Sequence, residues 1–146
     1  MPQKTYQRNT SRRLLDSLMG AVARLRLSSR TGVIVTTGRT SGESRSTPVD
    51  LIRVDGQLYV VGIYGARNWV LNLRATPECR VRSRDGESAC TATELPAAEG
   101  APVLRQYLVE SSFVRDYQDV GPDDSDEAML EAAGERPVFR LDPLAG

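Results

Sequence analysis

The sequence predicts a mainly β, α+β domain: an antiparallel sheet or small barrel of about six strands, with helices at its ends. Three observations carry this. After Thr31 the apolar period switches to two and returns to two several times along the chain. Asp-Gly pairs at Asp55-Gly56 and Asp85-Gly86 fall between such runs, which is a strong hairpin signal. Most connections are hairpin-short, whereas parallel strands need long crossovers. With 146 residues, 40% apolar and 26% charged, the chain has the length and balance of one folded domain rather than a disordered segment.

Taken in order, residues 1–10 (MPQKTYQRNT) lack apolar periodicity and read as a flexible tail. Leu14, Leu15, Leu18, Met19, Val22 and Leu25 then recur at helical spacing, predicting an amphipathic helix over about 11–27 that opens a single domain spanning 11–146. Arg12, Arg13, Arg24 and Arg26 flank the apolar stripe. The helix either packs on the core or rests on a membrane surface as a basic amphipathic element. GVIVTT, PVDLIRV and QLYVVGIY read as strands, and NWVLNLRA (68–75) as a short helix ended by Thr76-Pro77. CRVRSR and SACTATEL form a second hairpin, with Arg80, Arg82 and Arg84 on a solvated face or an edge. A helix follows from Ala97 to Val109. The acidic run 123–127 opens another through Ala133, where negative charge suits the helix dipole. PVFRL (137–141) supplies the last strand.

Net charge is zero but unevenly spread: residues 1–45 hold nine Lys/Arg against two Asp/Glu, and the remainder ten against seventeen. The N-terminal third therefore suits an anion. Its arginines are not interleaved with aromatics, which argues against a nucleic-acid partner. The absence of histidine removes the commonest general base and metal ligand, and with it any Ser-His-Asp arrangement. Two cysteines, Cys79 and Cys90, are too few for a structural zinc site and read as reduced thiols. No signal-peptide pattern or membrane-length apolar run is present, so a cytoplasmic protein is expected, associated with a membrane only if the first helix binds one. Chemistry here has to rest on a bound cofactor that the protein orients.

The best candidate site is Gly38 to Ser46, nine residues between two strands. Gly38 and Gly42 let main-chain amides approach a ligand. Arg39 and Arg45 can fork onto phosphate oxygens, and Thr37, Thr40, Ser41, Ser44 and Ser46 supply hydroxyls. No Gly-Lys-Ser/Thr follows, so this is not a P-loop; a merely solvated loop is the alternative. The second candidate is YGARNWVLNL, with the sole tryptophan, Trp69, beside Arg67 and Asn68. Gly62 and Gly65 there leave room for a flat ligand near the backbone. Trp69 either lines a ring pocket or plugs the barrel end, and Asn72 either caps backbone groups or orients a ligand. Phe113, Arg115 and Tyr117 in SSFVRDYQDV close over a pocket or simply pack; Tyr117 is the one side-chain proton donor in reach.

TTGRTSGESRSTPV resembles the TTGRxSGxxRxxPV signature of the deazaflavin-dependent nitroreductase family, split-barrel proteins that bind coenzyme F420. The resemblance continues through YVVGIYGARNWVLNLRATPECRVR and FVRDYQDVGPDDSDEAMLEAAGERPVFRL, covering about residues 30–142. It implies a split antiparallel β-barrel, similar to the FMN-binding pyridoxamine-phosphate-oxidase fold and often dimeric. It implies an oxidoreductase that passes hydride from reduced F420 to an electron-poor small molecule such as a nitroaromatic, a quinone or a conjugated enone. A non-catalytic or FMN-binding split barrel is the alternative. By the same resemblance Arg39, Ser41 and Arg45 hold the cofactor's phosphate-bearing tail, the backbone of Pro48 and Val49 lies along the ring, Trp69 stands beside it, and Tyr117 lies near the substrate. Thr40 stands where many relatives carry lysine, and Arg67 stands in a shortened loop that lacks their lysine.

Overall fold

The computed structural model describes residues 31–111 and 118–144. The expected tail, the N-terminal helix, Phe113, Arg115 and Tyr117 lie outside the described residues.

Strand β1 (Thr31–Thr37) runs into β2 (Ser44–Val54), paired from Thr37↔Ser44 to Thr31↔Asp50. The sequence placed the start of β2 at Pro48. It begins at Ser44 because Ser44–Thr47 alternate no apolar residues, so period gives no sign of a strand that is solvated on both faces. The expected nine-residue loop therefore shrinks to 38–43, with its former second half in the ladder. Pro48 is tolerated because β3 (Gln57–Val61) pairs with β2 only over Leu51–Val54, leaving the outer part of β2, among the described residues, with a strand on one side alone. The β2–β3 turn has Asp55 at φ 51° and Gly56 at φ 82°, the two left-handed residues of a type I′ hairpin.

Helix α1 (Asn68–Ala75) leads to β4 (Glu78–Ser83) and β5 (Gly86–Glu94). Their turn sits on Arg84 and Asp85, one residue earlier than expected. Ser83 pairs with Gly86, which opens β5 at φ 111°. Helices α2 (Ala97–Glu110) and α3 (Asp126–Glu135) follow, then β6 (Val138–Pro143). The α3 start falls after Asp123 because Ser125 Oγ accepts from the Ala128 amide at 3.1 Å and caps the helix there.

The strands close into one antiparallel barrel in the order β1-β2-β3-β6-β5-β4, with β4 returning to β1. Closure removes the edge on which the arginines of β4 were one alternative placed. Arg80 and Arg82 instead face outward from the wall, where Glu87 lies 2.8 and 3.5 Å away and the Arg80 bond holds its carboxyl below the usual range.

Alternation sends one side chain inward and the next outward. Ile34, Leu51, Val60, Val81, Cys90, Phe139 and Leu141 fill the interior, and α1 plugs one end through Val70 and Leu73. Ile52, Val61 and Val138 point outward to meet Val103, Leu104, Leu108, Met129 and Ala132 of α2 and α3. Two of the helices therefore lie on the barrel wall rather than at its ends, because β2, β3 and β6 carry apolar residues on both faces. The cysteines are free, directly opposite each other on β4 and β5, and buried; burial, then the neighbouring Cys90, pushes the Cys79 thiol up to about 12.

Candidate cofactor-binding site

Thr36 and Thr37 end β1 at the mouth of the barrel, and the chain turns sharply. The amide of Gly38 donates to Glu43 O at 2.7 Å, that of Gly42 to Gly38 O at 2.8 Å, and that of Glu43 to Ser41 Oγ at 3.1 Å. Gly42 takes φ 75° at the tip. A Cβ on Gly38 would stand 2.8 Å from Ser41 Oγ and 3.1 Å from Glu43 O, so only glycine lets the turn fold this tightly.

The loop faces the first turn of α1 across a cleft of about 710 Å³. Gly38, Arg39, Thr40, Ser41 and Arg45 line it from one side, Arg67, Asn68 and Trp69 from the other. Two segments singled out separately in the sequence thus meet at one site. Thr37, Gly42, Pro48 and Val49 do not line it: Gly42 sits at the turn tip, and Val49 packs on the barrel interior. Ser44, Ser46, Thr47 and Asn72 complete the lining. Thr47 was missed because the strand was not seen to begin early. Asn72 carried a readable signal: it stands four residues after Asn68, hence on the same helix face, with leucines on either side.

Asn72 is 3% exposed. Its Oδ1 accepts from the Arg39 amide at 3.1 Å and from Arg39 Nη1 at 2.9 Å, while its Nδ2 donates to Thr36 Oγ1 at 3.2 Å. Arg39 Nη2 also donates to Asn68 Oδ1 at 3.3 Å. Arg45 is more open, with Glu43 at 3.5 Å as an exposed ion-pair partner. The cleft lining holds three arginines, five hydroxyl side chains and no carboxylate, a donor set suited to phosphate and carboxylate groups. No side chain caps α1, and its first turn opens on the cleft, adding a helix N-terminus to the same positive field.

Trp69 answers both alternatives posed for it. One part of the indole packs on the interior cluster, with its ring centroid 6.2 Å from that of Phe139 and the planes tilted 54°, while the side chain also lines the cleft. The room expected at Gly62 is filled by the protein. A Cβ there would meet Gly65 O and a Val70 methyl at 3.1 Å, so this glycine serves close packing of the turn onto α1.

The chain thus forms a six-stranded antiparallel barrel with a cationic, hydroxyl-lined cleft beside an aromatic. In fold the chain is similar to a solved structure described as a domain-swapped dimer (22% identity, TM-score 0.59, covering 90% of this chain and 93% of that one). It is also similar to General Stress Protein 26 from Bacillus anthracis (16% identity, TM-score 0.53, 86% and 88% covered). A third is a putative pyridoxamine 5'-phosphate oxidase from Listeria innocua (13% identity, TM-score 0.50, 90% and 94% covered). No curated protein sequence matches the chain. The family model of F420H(2)-dependent quinone reductase matches residues 7–122, and the chain belongs to that family. It is an F420-dependent oxidoreductase, and coenzyme F420 is its cofactor.

Proposed function

We propose that this protein binds coenzyme F420 in the cleft between the β1–β2 turn and α1, and reduces a planar, electron-poor acceptor of the quinone class, with nitroaromatics and conjugated enones as further substrates. Bound in its reduced form, the cofactor supplies a hydride. The chain's part is to bind, orient and exclude water. Arg39 and Arg45, with the Ser41 hydroxyl, hold the acidic phosphate-bearing tail. Gly38 supports this indirectly: a Cβ there would meet Ser41 Oγ and Glu43 O, so glycine lets the turn fold tightly enough to present these side chains together. Arg67 stands in for the lysine that the shortened loop before Trp69 lacks, while Thr40 offers a hydroxyl where many relatives carry a cation. Trp69, braced from behind by Phe139, offers an apolar wall to the ring. With no histidine in the chain, protons for the reduced acceptor come from water or from Tyr117.

The observation that carries this reading is the convergence of the loop arginines and the sole tryptophan on one cleft. Trp69 makes the test direct. Oxidised F420 titrated into the protein should quench its emission, and FMN should not. Arg45→Ala should raise Kd about tenfold and flatten its salt dependence without changing the thermal midpoint. Preferential FMN binding would replace the assignment with that of a flavin protein. F420 binding with no turnover of quinones or nitroaromatics would leave a binding protein.

The similarity to a domain-swapped dimer supports a homodimer, which light scattering on the purified protein tests. Among the described residues no helix is long and apolar enough to cross a membrane. Peripheral contact through the basic amphipathic stretch 11–27 is tested by flotation with anionic vesicles.

A further inference from the structure

We infer that Asn72 is a positioning residue of the cofactor site, acting through Arg39; this rests on the F420 reading above. A buried amide in a short helix needs hydrogen-bond partners. Asn72 finds three of its four bonds in the described contacts, all with the segment that ends β1 and opens the loop. The same Oδ1 accepts from the Arg39 main chain and from its guanidinium, so one atom fixes both the start of the turn and the direction of its first cation. Thr36, 2% exposed, holds the other end of the amide through its hydroxyl and so sets which way the amide faces. Asn68 steadies the far side of the guanidinium from the preceding turn of the helix.

Two consequences follow for the cation. Arg39 is ordered before any ligand arrives, so its rotamer entropy is not lost on binding. Its Nη1 donates to Asn72 Oδ1 and, at 3.5 Å, to Asn68 O, and its Nη2 to Asn68 Oδ1, so the second Nη2 proton and the Nε proton are the ones left for an anion. A lysine, with a single point of attachment, could not brace the helix and face the cleft together. Asn72 does not need to touch the cofactor to matter to it.

The test is a double-mutant cycle on F420 affinity, read by Trp69 emission. Asn72→Ala and Arg39→Ala should each weaken binding about tenfold, and the double variant no more than Arg39→Ala alone. Additive losses, or an Asn72→Ala variant with wild-type affinity, would overturn the inference. If Asn72→Ala does not fold, the near-isosteric Thr36→Val takes its place. It should weaken binding several-fold in the wild-type background and not at all with Arg39→Ala, and equal losses in both would count against the role. Hydrogen exchange at the Arg39 amide gives a readout free of cofactor. It should be protected in the wild type and fast in Asn72→Ala, and equal rates would refute the positioning. Failure of the wild type to bind F420 at all would instead refute the functional reading and leave the exchange result to decide this one.

Discussion

Tyr107, on α2, donates its hydroxyl to Asp50 on β2 at 2.8 Å, a bond between residues 57 apart in sequence. Tyr107 is buried, and burial, followed by the Asp50 charge, raises its hydroxyl well above the ordinary range, so it stays a donor at every physiological pH. The bond pins the outer wall helix to the open part of β2, next to Val49 and Pro48. Tyr107→Phe should therefore destabilise the fold by about 1–2 kcal/mol, because the half-buried carboxylate loses a charge-assisted partner. Denaturant unfolding checks the value. A change below about 0.3 kcal/mol would mean that water replaces the phenol without loss.

Phe139 fills the barrel interior at 1% exposure and supports Trp69 from inside. Phe139→Ala should cost about 3–5 kcal/mol through the cavity it leaves. The milder Phe139→Leu should keep the fold, shift Trp69 emission and loosen F420 binding. Emission spectra and a titration on the same sample separate the two effects. Unaltered emission would show that the indole is held by other contacts.

Gly38→Ala places a methyl group 2.8 Å from Ser41 Oγ and 3.1 Å from a main-chain carbonyl. Ser41 can rotate away but the carbonyl cannot. The expected cost is about 1–3 kcal/mol from overpacking, together with at least a tenfold loss of F420 affinity. Calorimetry and the Trp69 titration measure the two separately. Full affinity at reduced stability would move the anion contacts from the turn to Arg45 and α1.

The cysteine pair sets an alkaline limit. The unfolded Cys79 thiol ionises near 9.0, the folded one near about 12, so the stability this thiol contributes is whole below about pH 9 and is lost between those values. Cys90 shifts in the same direction, also through burial. Stability followed by urea titration from pH 7 to 11 should fall above pH 9, and fall less in Cys79→Ala relative to its own neutral value. The folded protein should resist alkylation at pH 8, and rapid modification of either cysteine would contradict the burial.

Much of this architecture can be read from the residues because its signals are local. Asp55-Gly56 adopts the two left-handed residues its composition demands, and the helix of residues 68–75 has the bounds its pattern suggests. The late start read for β2 has a physical origin. Ser44–Thr47 form a strand without apolar alternation, held by main-chain pairing to β1 and not by burial, and periodicity sees only burial. Barrel closure, which turned the β4 arginines from an alternative edge into a wall, is a long-range property with no local mark. At the site, the loop and the tryptophan could each be named but their meeting could not, since it depends on α1 plugging the end of the barrel where β1 stops. Asn72 stayed between two roles for the same reason: its partners Thr36 and Arg39 are more than thirty positions away.

Among the described residues the outer part of β2 has a neighbouring strand on one side only, so its other side presents peptide groups, a ruler of donors and acceptors, at the edge of the cleft. Recognition through such a ruler does not depend on which side chains the strand carries. Changing a serine or threonine there leaves the peptide lattice unaltered, whereas Pro48 deletes one of its donors. The main-chain frame at this edge of the site is therefore set by strand pairing and not by the identity of its hydroxyl side chains.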